Sequence, residues 1–180
     1  MNPLFKLLSC FTLLVCTHAA HAQDAQFCDF DNDSVDVVTR KHIRSSEFTI
    51  GTYPLHWSLK MEQFGDKYYM NYHILAFGKV DDLVPAGTKI LTMLANDTIV
   101  TLNTDEDVVP SYNIEQDKTR TMISIWDVRA LVNPDVMKLF GASLSEMARI
   151  TIGNKEMNAR IKRQQGQGIM TTANCMLDVD

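Results

Sequence analysis

Imidazole is the side chain best suited to acid–base or metal chemistry near neutral pH. Beyond its first 22 residues this sequence has three, His42, His56 and His73. His56 falls on the wet side of one alternating run and His73 on a mixed side of the next. If the two runs pair, the imidazoles come close, and with Glu62 or Asp66 they would form a metal-ligand set. No spacing enforces that, and a histidine beside aromatics is ordinarily a hydrogen-bonded structural residue, so no metal or other cofactor is expected. Catalytic signatures are missing: there is no Gly-x-Ser-x-Gly elbow, phosphate-cradling glycine loop or His-Glu-x-x-His pair. Asp105-Glu106-Asp107 reads as a solvated run, because acid–base work needs two carboxyls at a set distance in different surroundings. The alternation Asp29-Phe30-Asp31-Asn32-Asp33 copies the opening of a calcium loop, but Ser34 stands where the turn needs glycine and Arg40 where the closing acid belongs. Asn32-Asp33-Ser34 and Asn96-Asp97-Thr98 match the glycan-acceptor pattern by coincidence, the second being accounted for by a turn.

Aromatic residues are the stronger lead. Tyr53, Trp57, Tyr68, Tyr69, Tyr72 and Phe77 crowd two neighbouring runs, with Trp126 on a third. Exposed rings on a rigid sheet stack on sugars or fill a partner's pocket. Alternation assigns Trp57, Tyr68 and Tyr72 to a core, which leaves Tyr53, Tyr69 and Trp126, with His56 and His73, as the candidate binding residues.

Residues 1–22 have the form of an export signal: a short basic start, an apolar run over 7–16 and a small-x-small site at Ala20-His21-Ala22. The run is too short to span a bilayer, and no second one follows. The expected product is secreted or periplasmic, with an acidic, poorly ordered leader over 23–34 and a single β-rich domain over 35–180. Loss of Lys6 takes the formal charge from −5 to −6, an acidic surface with no basic block that argues against nucleic acid as a partner. Two cysteines remain, Cys28 and Cys175. In an oxidising compartment they are expected to form a disulfide, the alternative being two buried thiols.

The elements that must position these residues are mainly strands. Residues 88–102 read as a hairpin with a two-residue turn at Asn96-Asp97. That turn sets Leu94 opposite Ile99, Met93 opposite Val100 and Leu91 opposite Leu102. Met93, Val100, Leu91 and Leu102 then share one face, Ile90, Thr92, Leu94, Ile99 and Thr101 the other, with both sides covered. Further strands are expected at 35–43, at 55–61 after Pro54, at 67–77 after a turn at Gly65-Asp66, and at 120–131. Residues 104–118 form a surface connection with a brief extended piece around Tyr112 and Ile114. Asn133 and Pro134 predict a helix start, with Val136, Leu139 and Phe140 as its apolar stripe and Gly141 as its left-handed end. A second short turn starts at Ser143 or Ser145. Residues 148–152 and 155–161 form a hairpin through a type II′ turn at Gly153-Asn154. A polar break over 164–168 precedes a last strand at 169–177 carrying Cys175.

Eight or nine short strands and one small helix predict an antiparallel β-sandwich or partly open barrel. The layout resembles a loose group of small secreted proteins from Bacteroidota-type bacteria. The likeness is carried by the export signal, Leu55-His56-Trp57-Ser58-Leu59, the Gly87-Thr88-Lys89-Ile90-Leu91 entry to a hairpin ending Ile99-Val100-Thr101-Leu102, and Ala148-Arg149-Ile150-Thr151-Ile152 after a helix. It implies a periplasmic or cell-surface β domain and brings no catalytic residue. The expectation is a non-enzymatic module that binds or assembles with an envelope protein or glycan. An envelope hydrolase or inhibitor acting through loop residues is the alternative, and a homo-oligomer is the third reading if Tyr69, Phe77 and Trp126 form one exposed patch.

Overall fold

A computed structural model of the protein describes residues 28–52, 55–114 and 121–178. The expected export signal, the expected leader up to residue 27 and Tyr53 lie outside these. The chain is mainly β, with a curled six-stranded antiparallel sheet and a second sheet of four strands. The larger sheet has the order β1 (Asn32–Val35), β2 (His42–Thr52), β3 (Leu55–Phe64), β4 (Lys67–Phe77), β8 (Met122–Val132), β7 (Ser111–Ile114). The smaller has the order β10 (Lys155–Arg160), β9 (Ser145–Ile152), β5 (Lys89–Leu94), β6 (Ile99–Asn103). Among the described residues two helices complete it, α1 (Pro134–Ala142) and α2 (Arg163–Leu177).

Strict alternation in β3, β4 and β8 builds the core. Register places Trp57, Ile74 and Trp126 in one row, Leu59, Tyr72 and Val128 in the next, and Met61, Met70 and Ala130 in a third. All nine are buried. They join Ile90, Leu94, Val100, Leu102 and Ile150 of the smaller sheet, Phe140 of α1 and Ile169 of α2 in one cluster. Burying a side chain of this size contributes about 1.5–3 kcal/mol.

Cys28 and Cys175 are joined, with their Cα atoms 5.6 Å apart, so the segment before β1 is tied to α2. The 148–161 hairpin has the expected register, Ile150 opposite Met157 and Ala148 opposite Ala159. Its Gly153 has φ +58°, as the first central residue of a type II′ turn requires. Asn133 caps α1, its Oδ1 accepting from the Val136 amide at 2.8 Å.

Several expectations are corrected. Residues 35–43 are not one strand. β1 lies partly within the expected leader, and Asp36 then turns the chain, its Oδ1 accepting from the amides of Val38 at 3.0 Å and Thr39 at 2.5 Å. Arg40 takes φ +58° in the same turn, and Val37 and Val38 are 78% and 90% exposed. The 88–102 hairpin is one residue out of the expected register: Met93 faces Ile99, Thr92 faces Val100 and Ile90 faces Leu102. The Leu94 amide donates to the Thr98 carbonyl and the Asp97 amide to that of Leu94, with only Asp97, at φ +62°, left-handed. That is a three-residue loop with a bulge, not a two-residue primed turn. The slip regroups the faces. Ile90, Thr92, Leu94, Val100 and Leu102 are buried, while Ile99 is 63% exposed, so the outer side is not covered.

Gly141 does not end α1, which continues through Ala142 to an extended Ser143. A Cβ on Gly141 would overlap Asn174, whose Nδ2 donates to the Gly141 carbonyl at 3.0 Å. Of the expected stripe Phe140 is buried and Leu139 is 42% exposed, Met137 taking its place inside. No second turn forms, because Ser145 begins β9. The expected last strand is instead α2, and the polar break lies inside that helix. Gly166, Ile169, Ala173 and Met176 are buried at helical spacing. Side chains on Gly166 and Gly168 would meet the Ser145 carbonyl and the Phe48 ring, so these glycines serve close packing.

Candidate functional site

The alternation that buries three rows turns another set outward. On the open side of the six-stranded sheet, Thr49, Ser58, His73 and Asp127 form one cross-strand row. Glu47, Lys60, Asn71 and Arg129 form the next, and Ser45, Glu62, Tyr69 and Leu131 a third. Ser58, His73 and Asp127 of the first row, the whole second row and Glu62 of the third line a hollow of about 540 Å³, which Glu106 also borders.

Most of these groups hold one another. His73 Nδ1 lies 2.6 Å from Asp127 Oδ1. Glu62 takes a hydrogen bond from Asn71 Nδ2 at 2.6 Å and an ion pair from Lys60 Nζ at 2.6 Å. The Arg129 guanidinium sits over the Tyr69 ring, 3.7 Å from its centre, a cation–π contact that fixes both side chains. Glu47 and Glu106 have no ion pair among the described residues. The ensemble is a rigid, water-facing array of alternating donors and acceptors with one aromatic edge.

Ser58, His73 and Asp127 stand in the order of a nucleophile, base and orienting acid, so catalysis must be weighed. Nδ1 of His73 faces Asp127, which leaves Nε2 for the Ser58 side, as such a relay uses it. Against this, no hydrogen bond joins Ser58 to His73 among the described residues, and the Asp127 side chain is 76% exposed, where a relay's acid is buried. β3 and β4 are paired on both edges, so the amides around Ser58 and His73 are consumed by the sheet and offer no oxyanion cradle. The geometry suits holding a polar ligand better than cleaving one.

Of the residues singled out by sequence, His73 lines this hollow and Tyr69 lies beside it, opposite Glu62 and under Arg129. His56 pairs with Gly51 at the head of β3, and Tyr53 lies outside the described residues. Trp126 is corrected to a core residue. It is buried, its Nε1 donating to the Asp82 carbonyl at 3.0 Å, because the pleat puts it in the same row as Trp57. An exposed patch of Tyr69, Phe77 and Trp126 therefore does not form. Of the conditional metal set, His73 is engaged by Asp127 and Glu62 by Lys60 and Asn71, and the side chain of His56 lies outside the described ones. No group of three or more metal-type ligands occurs among the described residues. Sequence reasoning missed Lys60, Asn71, Asp127 and Arg129 as site members. Their wet-face alternation was visible, but the register that aligns them across four strands was not.

No helix among the described residues is long and apolar enough to cross a membrane. No known protein family matches the chain, and no curated protein or solved structure is detectably similar to it.

Proposed function

We propose that this protein is an exported, non-enzymatic binding module of the cell envelope that takes a glycan across the open face of its six-stranded sheet. The observation that carries this reading is the Arg129–Tyr69 stack beside two rows of pre-paired polar side chains. Sugars are recognised by such sets, in which hydroxyls replace water on fixed donors and acceptors while a ring face packs on an aromatic edge. The export pattern in residues 1–22, the Cys28–Cys175 disulfide and the resemblance to secreted β-rich proteins support an envelope setting.

Titration of the mature protein by calorimetry against soluble polysaccharides and peptidoglycan fragments tests this. The expected result is saturable binding without turnover, weakened about tenfold or more by Arg129→Ala or Tyr69→Ala with the fold retained. Binding that ignores both substitutions would remove the site. A second reading, envelope hydrolase, is favoured by the Ser58–His73–Asp127 row alone. Turnover abolished by Ser58→Ala would put it first.

A further inference from the structure

The smaller sheet carries a different hollow, of about 820 Å³, where β9 begins, β10 ends and α2 starts. Its floor is apolar. Met147 and Met93 are cross-strand neighbours on the outer side of the sheet, and the same row runs on to Ile99, which is 63% exposed. Its other end is cationic, because Arg160 is the partner of Met147 across β10, and Lys162 and Arg163 follow at the head of α2. Arg160, Lys162 and Arg163 line the hollow and are exposed. None of the three makes an ion pair among the described residues.

Three unpaired cations in close succession are out of keeping with a chain of formal charge −5. One carboxylate, that of exposed Glu146, shares the hollow. One further group calls for an acceptor: α2 follows Lys162, which gives no side-chain cap, and has no acid in its first turn, so its leading amides and positive dipole end are unanswered by side chains.

We propose that this hollow is a binding site for a free, single-chain anionic amphiphile, with the acid head at Arg160, Lys162 and Arg163 and the apolar tail along Met147, Met93 and Ile99. At the usual strand spacing the row from Arg160 to Ile99 is about 14 Å long, of which about 10 Å is apolar, enough for the head group and most of a medium-length acyl chain. The volume suits one small ligand. The occupant is a lone amphiphile and not a bilayer, because the net negative charge of the whole molecule repels an anionic membrane while the local cluster attracts a single head group. The site lies on the other sheet from the polar rows and does not depend on their role.

Labelling the methionine methyls of the mature protein with 13C and titrating with dodecanoate below its micelle-forming concentration tests the proposal. The Met93 and Met147 resonances should move saturably with one-to-one stoichiometry. Dodecanol, with the same tail and no charge, should bind at least about tenfold more weakly. Arg160→Glu with Lys162→Glu should cost a similar factor, with Arg163→Gln as a milder second variant should the first not fold. Equal affinity for dodecanol, unchanged affinity in the folded variants, or shifts confined to core methionines such as Met61 and Met70 would overturn it. So would co-flotation with phosphatidylglycerol vesicles without a response to monomeric dodecanoate.

Discussion

On the six-stranded sheet the outward side chains answer one another. Glu62 is held by Lys60 and Asn71, His73 by Asp127, and Tyr69 by Arg129. On the smaller sheet the outward row Arg160, Met147, Met93, Ile99 has no such pairing. The first face is content in water and pre-ordered, so a polar ligand costs it little rearrangement. The second leaves apolar surface and bare cations to solvent, and gains free energy only when something covers it. Two sheets of one core thus present two surfaces, one proposed for a ligand's hydroxyls and one for an acid on an apolar chain.

The largest effect should come from turning the smaller sheet's inner face polar. Val100→Asp, at 2% exposure, should abolish cooperative folding, since a buried lone charge costs more than about 4–5 kcal/mol. Ile99→Asp, one residue on and outward, should change stability by less than about 0.5 kcal/mol. Thermal melts of the pair test the facing directly, and equal losses would mean that both sides of β6 are covered. Next comes the covalent tie. Reducing Cys28–Cys175, which spans 147 residues, should cost up to about 5 kcal/mol in the chain-entropy treatment. Hydrogen exchange should show the loss of protection first in β1 and α2, while the polar rows of β3, β4 and β8 stay protected.

Tyr72 lies in the inner layer shared by the sheets. Burial pushes its phenol up to about 12 from the usual 10. A group raised on folding binds its proton more tightly in the native state, so its stabilisation is complete below pH 10 and fades as pH rises to about 12. Alkaline unfolding followed by phenolate absorbance should therefore fall in that window, and Tyr72→Phe should move its midpoint upward. The smallest effect sits at the β5–β6 turn. Asp97→Gly should stabilise by about 0.5–1 kcal/mol by relieving its left-handed backbone. Asn96→Gly should not, because Asn96 Oδ1 accepts the Thr98 amide at 3.2 Å. Denaturant midpoints of the two variants separate these outcomes.

What could be read from the sequence divides along the same lines. Clean alternation in 55–61, 67–77 and 120–131 was enough to place three strands and to assign Trp57, Tyr68 and Tyr72 to the core, because a period of two has one structural meaning, but not to order the strands or to bury Trp126. The Gly153-Asn154 hairpin was also legible, glycine naming its turn. Asn96-Asp97 was not, since the same two residues serve a two-residue turn or a bulged loop, and one residue of slip exchanges the faces. Residues 163–177 misled because Gln164, Gly166 and Gly168 look like a break. The glycines answer to Ser145 and Phe48, neighbours that no local pattern reveals. The polar rows needed the cross-strand register, and the cationic hollow needed the meeting of β10 with α2, so neither site was visible in the chain alone.

The strand order also constrains how the molecule can be made. β4 is the neighbour of β8, yet the chain passes through β5, β6 and β7 before β8 exists. At about 5–20 residues per second the ribosome needs a few seconds to traverse residues 78–121. Throughout that interval the β4 edge of a β1–β4 meander, later covered by β8, leaves its amides and carbonyls open to any passing strand. Nascent chains arrested before residue 122 should therefore be the sticky ones, and release past residue 132 marks the point at which β8 can cover the β4 edge.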